Sequence, residues 1–387
     1  MISRPVSRRT FLKLVIGAGA SGFLAAHVLG RPARAAVAVE PLDQLLEPIR
    51  LTSRMPALGG AAIRGSELIG LGVTGTRQAA QTNPVRADDR FHIGSCTKAM
   101  TATLLAMVVE RGALSWEATI GEVLPDIKPK IRTEYHGVTL RQLLGHQSGL
   151  PDDRTPDPDL LPLVRALSGS MPAQRRRLAE LVLSRPPAAP PGTTFQYSNY
   201  GYTIAGAFAE QATGQSWETL MQERIFRALG MTSAGFGAPG GPGSTDQPWG
   251  HAENTLRPVP PGPNADNVPV IGPAGTLHCT LADWGKFAAL HGRGARGDAG
   301  LLLRPETFQQ LHRPSLGSYA LGWRVEQRDW ADGPALTHTG SNRLWYAVIW
   351  LAPRRNMGFL AATNAGGEVA FRACDMAIGA MIRKYLN

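Results

Sequence analysis

The 387-residue chain is predicted to be an α/β protein, more narrowly α+β, with an antiparallel sheet flanked by helices and a second, mostly helical lobe. Strand-like patterns lie near both ends of the chain, over residues 59–74 and 319–364. Between them, roughly residues 113–300 contain short helical stretches separated by Pro- and Gly-rich loops. Short turns join consecutive strands, which implies antiparallel pairing. The order therefore predicts one sheet built from both ends of the chain around a helical insertion.

The N-terminal elements follow from hydrophobic spacing. Leucines and isoleucines at helical spacing over 42–51 predict a helix before Pro56. Residues 59–63 and 68–74 flank a turn-like break and predict a hairpin. A further helix is expected from Thr97 to a stop at Gly112.

The later elements are predicted by the same patterns. The helices of the middle region are expected at 160–167, 173–183, 202–213 and 281–290. Thr280 is the expected N-cap of the last of these, and the stretch 235–273 is expected to be irregular. The C-terminal part is expected to contain strands at 319–327, 335–339, 344–351 and 357–364, followed by a helix at 368–386.

Charge and cysteine content exclude several protein classes. The formal charge of +10 falls by six to +4 without residues 1–35, and the longest basic run in the rest is the three arginines Arg175–Arg177. A nucleic-acid-binding protein would show a basic stripe, so no nucleic-acid partner is expected. The three cysteines, Cys96, Cys279 and Cys374, lie far apart without CxxC spacing, and no HExxH pattern occurs. Neither a disulfide framework, a metal site nor a cofactor is predicted.

Residues 1–35 have the pattern of an export signal. Ser7–Lys13 contains twin arginines, an apolar Gly/Ala-rich stretch follows, and Ala33–Ala35 forms a small-x-small cleavage site. The apolar stretch is interrupted by His27 and several glycines, so no stable membrane span is expected after cleavage. The sequence thus predicts a mature single domain, residues 36–387, in the periplasm or outside the cell.

The same region permits another interpretation. Residues 17–22 satisfy G-x-G-x-x-G, a pattern typical of a flavin- or NAD-binding opening. The upstream arginines and the cleavage site inside the supposed unit argue against it, and no βαβ alternation continues downstream. Purified protein that is yellow would favour the flavin alternative.

Ser95-Cys96-Thr97-Lys98 is the first motif with catalytic potential. Ser and Lys three positions apart at a helix start lie on one face, so the amine can reach the Ser hydroxyl. Lys98 is flanked by small and apolar residues, and burial would lower its pKa enough for it to act as a base. The chain uses Arg nearly everywhere, yet Arg could not be deprotonated here.

Two further motifs are weak when taken alone. Tyr197-Ser198-Asn199 offers a hydroxyl that relays a proton and an amide that binds an acyl group, but a loop Tyr before a helix explains it equally. His338-Thr339-Gly340 lies at the end of a predicted edge strand, where Gly would let a substrate backbone approach. A structural strand histidine is the plainer interpretation of His338.

In their order along the chain, the three motifs resemble those of the serine β-lactamase and penicillin-binding-protein superfamily. The likeness is greatest to class C β-lactamases, serine D-Ala-D-Ala carboxypeptidases and related esterases. Three further segments resemble the family: 91–94, 139–151 and 273–277. The resemblance covers about residues 40–387 and implies a β-lactamase/transpeptidase-like fold.

The resemblance also implies roles for individual residues. Ser95 would be the acylated nucleophile, Lys98 its proton acceptor or electrostatic partner, and Tyr197 a second proton carrier. Whether Lys98 or Tyr197 is the acylation base stays open. The backbone N–H groups of Ser95 and Ser341 would form the oxyanion hole. The implied substrate-binding residues are Asn199, His338, Thr339, Gly340 and Ser341. The expected partner is a small-molecule or peptidoglycan-peptide acyl substrate, bound by a monomer.

His338 departs from the Lys that many β-lactamases have. A neutral imidazole binds a carboxylate less firmly than an ammonium, which favours peptidase or esterase activity over β-lactam hydrolysis. Arg343 could restore the charge. The sequence also predicts an activity that changes with a group titrating near neutral pH, His338 itself.

Two alternatives remain. An α/β-hydrolase would need G-x-S-x-G, which 145–149 only approaches. A catalytically silent homologue that binds peptidoglycan would need loss of catalytic residues, and Ser95, Lys98 and Tyr197 show none.

Overall fold

The computed structural model describes residues 38–154 and 157–387. The export-signal prediction for residues 1–35 therefore lies outside the described residues. Among the residues that are described, no helix is both long and apolar enough to cross a bilayer.

The strands pair into one large sheet and two small ones. Within the described ranges they are β1 (Glu40–Pro41), β2 (Ala57–Arg64), β3 (Glu67–Gly75), β4 (Phe91–His92), β5 (Gly235–Phe236), β6 (Gly250–His251), β7 (Pro258–Val259), β8 (Leu277–Cys279), β9 (Arg324–Arg328), β10 (Gly333–Ser341), β11 (Tyr346–Ala352) and β12 (Met357–Thr363). The large sheet has the order β1-β3-β2-β12-β11-β10-β9. All its pairs except β1–β3 are antiparallel, as the short turns predict. The sheet therefore joins strands from both ends of the chain.

Each predicted helix is present, most of them with shifted ends and the last one with its predicted ends. They are α1 (Asp43–Ser53), α2 (Thr97–Glu110), α3 (Ile120–Val123), α4 (Leu140–Leu144), α5 (Leu160–Arg165), α6 (Met171–Leu183), α7 (Asn199–Thr213), α8 (Trp217–Leu220), α9 (Arg227–Leu229), α10 (Gly272–Gly275), α11 (Leu281–Ala295), α12 (Pro305–Leu311) and α13 (Glu368–Leu386). Thr280 is the N-cap of α11, since its Oγ1 accepts a hydrogen bond from Asp283 N at 3.1 Å.

Both faces of the sheet are covered, and α2 lies in the core. Gly60 of β2 faces Leu46 of α1 and Met381 of α13, while its neighbour Gly59 faces Leu281 of α11. Residues 97–108 of α2 are buried without exception. A helix buried all round has to be apolar all round, and Lys98 is the one charged side chain in this stretch.

The predicted edge strand is the main difference in the sheet. β10 lies between β11 and β9, so the edge prediction is wrong for its first half. The pairing with β9 ends at Thr337, which leaves 338–341 without a partner on that side. β9 begins only at Arg324, because Tyr319–Trp323 forms a turn with Gly322 at a φ of 82° and a hydrogen bond from Ala320 N to Trp323 O.

Candidate active site

Ser95 lies in a single 3-10 turn, Gly94–Cys96, directly before α2. Gly94 has a φ of 49°, a conformation that suits glycine, and it brings the turn against the backbone of β10. Ser95 is half-buried between buried neighbours. Its Oγ lies 3.0 Å from Lys98 Nζ and accepts a hydrogen bond from Tyr197 Oη at 2.7 Å. The structure thus brings the predicted nucleophile and both predicted proton carriers together.

Lys98 is fully buried and has three polar neighbours. Besides Ser95 Oγ, Nζ lies 2.7 Å from Asn199 Oδ1 and 2.7 Å from Ala274 O. Burial lowers the pKa of Lys98 to about 7, against the opposing charge of Asp153. A neutral amine has two hydrogens and one lone pair. Because Asn199 Oδ1 and Ala274 O only accept, those hydrogens point at them and the lone pair faces the Ser95 hydroxyl.

Tyr197 is suited to donate a hydrogen bond. Burial raises the pKa of Tyr197 well above its ordinary value, so its hydroxyl keeps its proton. The ring packs on His146, with centroids 4.4 Å apart, and the Arg154 guanidinium lies 5.1 Å from its centroid. His146 Nδ1 accepts a hydrogen bond from Ser198 N at 3.1 Å, which fixes the chain next to Tyr197. Sequence reasoning gave His146 no such role.

Asp153 is a site residue that sequence reasoning missed. Its Oδ1 accepts hydrogen bonds from Asn199 N at 2.8 Å and Asn199 Nδ2 at 3.2 Å. Burial raises the pKa of Asp153 above its ordinary value, and the nearby Lys98 opposes that rise. The Asn199 amide is therefore held at both ends by protein groups, rather than waiting for a substrate amide. Position 153 lies two residues after the family-like segment 139–151 but carries no motif of its own.

The end of β10 lies against the nucleophile turn. A Cβ on Gly340 would overlap Ile93 O and lie 2.7 Å from Ser95 N. Gly340 is therefore needed for close approach of the chain's own backbone, a requirement for glycine that adds to the predicted room for a substrate backbone. Thr339 is exposed and Ser341 is half-buried, and both lie beyond the last residue paired with β9. The N–H groups of Ser95 and Ser341 belong to the two segments in contact here.

His338 does not behave as the sequence predicts. The ring is buried, Nδ1 donates to Thr339 O at 2.7 Å, and Nε2 lies 3.0 Å from Tyr319 Oη, from which it accepts. Burial and the charges of Lys98 and Arg324 lower the pKa of His338 to about 3. The prediction that it titrates near neutral pH is wrong, and its two nitrogens already have protein partners.

Two arginines near β10 differ in their pairing. Arg343 is mostly exposed and pairs with Glu253 at 2.9 Å, so its charge is already balanced. Arg324 is exposed and sits opposite Thr337, at the last paired position of β9. Its charge acts on His146, Tyr319 and His338, yet its side chain makes no ion pair or hydrogen bond with any described residue. Sequence reasoning missed Arg324 because no motif includes it.

The cysteines are placed neither in disulfides nor in a group that could hold a metal, within the described residues. The three cysteines are buried and free. In the described ranges 38–154 and 157–387, no group of three or more His, Cys, Asp or Glu side chains is placed to hold a metal ion.

Comparisons with known proteins agree with this fold. A family model described as Beta-lactamase matches residues 42–380. Penicillin-binding protein 4 of Amycolatopsis lactamdurans is 26% identical over 74% of this chain and 75% of its own. The unguisins hydrolase ungD' of Aspergillus campestris is 27% identical over 84% of this chain, a match that spans 62% of the fungal protein. The solved D-alanine carboxypeptidase AmpC from Burkholderia cenocepacia superposes with a TM-score of 0.66 at 22% identity, covering 87% of this chain and 97% of that one.

Proposed function

The chain belongs to the beta-lactamase family of serine hydrolases, and within it we propose an enzyme that acts on amides or esters through an acyl-enzyme at Ser95. The observation that carries the proposal is the pair of contacts at Ser95 Oγ, 3.0 Å to Lys98 Nζ and 2.7 Å to Tyr197 Oη. A serine hydroxyl becomes a good nucleophile when an adjacent group accepts its proton.

In the proposed acylation, Lys98 is the base. Ser95 Oγ bonds to the substrate carbonyl carbon while its proton passes to the lone pair of Nζ. The developing oxyanion is stabilised by the N–H groups of Ser95 and Ser341, and one such donor contributes about 3 kcal/mol. The bond to the leaving group then breaks, and that group takes a proton from the Lys98 ammonium, directly or through Tyr197. Water then attacks the acyl carbon, the bond from that carbon to Ser95 Oγ breaks, and Oγ regains a proton from the water as the acid is released.

We propose a substrate with a carboxylate near the scissile bond, the best candidate being a peptide that ends in D-Ala-D-Ala. The support is Arg324, an unpaired permanent cation beside the free edge of β10. Arg324 supplies the positive charge that His338, neutral at physiological pH, does not supply. A carboxylate-bearing ester fits the same site, and a class C-like β-lactamase is the alternative that the test below addresses.

The test is an intact-mass time course with benzylpenicillin, for the wild type and Ser95→Ala. A stable adduct that the variant lacks supports a penicillin-reactive peptidase, and consumption of the drug without an adduct supports a β-lactamase. A reactive fluorophosphonate, which needs only an activated serine, covers the esterase case. If neither reagent modifies Ser95, the proposed acyl-enzyme is wrong, and the alternative of a catalytically silent homologue is favoured.

We also propose export by the twin-arginine route, on the pattern of residues 1–35. N-terminal sequencing of extracytoplasmic protein should find a first residue close to Ala36. Protein found only in the cytoplasm with residues 1–35 intact would contradict this.

A further inference from the structure

The stretch 235–273 is irregular, as predicted, apart from two-residue strands and short helical turns. It contains three consecutive residues that contact the active site. We call Ala265, Asp266 and Asn267 the 265–267 segment. It touches the chain before the nucleophile, the chain after β10 and helix α10. These three parts are far apart in sequence, and side chains or backbone groups of the segment contact each of them.

Asp266 reaches the nucleophile turn through His92. His92 is fully buried in β4, and its Nε2 lies 2.8 Å from Asp266 Oδ1. Its Nδ1 accepts a hydrogen bond from Gly94 N at 3.1 Å. Because a backbone N–H can only donate, Nδ1 carries no proton and Nε2 carries one, close to the carboxylate but without hydrogen-bond alignment. Asp266 thus favours the one tautomer of His92 that can hold Gly94.

The same carboxylate oxygen reaches the other side of the site. Asp266 Oδ1 accepts a hydrogen bond at 3.0 Å from Asn342 Nδ2, the side chain directly after Ser341. Asn342 Oδ1 in turn accepts from Leu344 N at 3.2 Å, which fixes the turn after β10. Asn267 Nδ2 donates to Gly275 O at 2.8 Å, and Gly275 packs against Gly94.

We propose that Asp266 is a positioning residue that sets the spacing of the Ser95 and Ser341 N–H groups. The proposal rests on the proposed function, in which these two groups bind the oxyanion. They come from separate segments, the turn before α2 and the end of β10, so a tertiary contact has to fix their distance. Asp266 Oδ1 touches the residue that holds the first segment and the residue that follows the second. An oxyanion hole works only when its donors are held in place before the reaction.

The experiment measures covalent labelling of Ser95 by a small fluorophosphonate, separating the maximal rate kinact from the half-saturating concentration KI. In Asp266→Ala, kinact should fall on the order of 10- to 100-fold, as for a misplaced catalytic group, with KI unchanged within about threefold. Asp266→Asn keeps an acceptor oxygen for Asn342 and an oxygen close to His92, so it should retain kinact within about threefold. Asp246→Ala removes an exposed carboxylate from the same stretch and should change nothing.

Asn342→Ala tests the same connection from the other side. It should also lower kinact, and the double variant should lose no more than the worse single variant, because both changes break one link. If Asp266→Ala does not give a cooperative melting curve, Asn342→Ala alone decides the question.

A folded Asp266→Ala or Asn342→Ala with wild-type kinact would overturn the proposal, as would an effect on KI alone or fully additive losses. A wild type that is never labelled at Ser95 would instead refute the proposed function before any variant is compared.

Discussion

The start of α2 and the free end of β10 form two sides of the candidate site, and they are built differently. On the α2 side, Ser95 and Lys98 lie one turn apart, and Lys98 is fully buried among fixed partners. On the β10 side, Thr339 is exposed, and an unpaired charge, Arg324, comes from another strand. Reactivity and substrate choice therefore depend on different side chains. Changes to Ser95 or Lys98 should remove the reaction for every substrate, and a change to the charge beside the free end of β10 should alter which substrate reacts.

The largest effect is expected from Lys98→Arg. The variant keeps a positive charge but cannot lose a proton at any accessible pH, so no lone pair faces Ser95. We expect acylation to slow about 10³-fold, within the range for loss of a general base. The measurement is the second-order rate constant of Ser95 labelling.

The matched control for that variant is Lys130→Arg, an exposed lysine paired with Glu180. It should label at the wild-type rate. If Lys98→Arg kept more than a tenth of that rate, Lys98 would be an electrostatic partner and not the base.

Gly340→Ala tests a residue that belongs to β10 but packs against the nucleophile turn before α2. Its added Cβ would overlap Ile93 O, so either the nucleophile turn or β10 has to move. We expect acylation of all substrates to slow about 100-fold, as when an oxyanion donor is lost.

Gly137→Ala provides the control, since a Cβ there meets no atom within 4 Å. Its acylation rate should equal that of the wild type. A Gly340→Ala enzyme with altered substrate preference but full reactivity would place Gly340 on the substrate side instead.

The same division explains what the sequence could predict. The S-x-x-K motif is recognisable because its two functional residues lie within one helix turn. Both ends of helix 368–386 follow from the sequence because its hydrophobic pattern is also local. Asp153 and Asp266 make contacts between distant segments, and Arg324 is defined by its position beside β10; no spacing within the chain reports either feature. The sequence places His338 in the correct segment but predicts the wrong pKa, because that pKa depends on burial that only the packed structure defines.

Arg324→Gln should change substrate choice without removing reactivity. For a substrate with a carboxylate, KM should rise about tenfold, the loss of about 1.4 kcal/mol from one ionic contact. For a neutral ester of the same acyl group, KM should stay unchanged.

Arg328→Gln, at the other end of β9, is the control, and both of its KM values should match the wild type. Equal rises for charged and neutral substrates in Arg324→Gln would refute carboxylate recognition by this residue.

The smallest effect is expected from His338→Gln, a variant that shows which residue causes the pH dependence of acylation. Lys98 has its pKa lowered to about 7, and its neutral form is the reactive one. Acylation should therefore rise with pH through that value and level off above it. His338, with a pKa lowered to about 3, stays neutral across this range and contributes no step. The rate profile of His338→Gln, measured from pH 5.5 to 8.5, should keep its midpoint, although the lost contact with Tyr319 can scale the whole curve. If the midpoint disappeared in this variant, His338 would be the titrating group, and the proton chemistry would belong to the β10 side of the site.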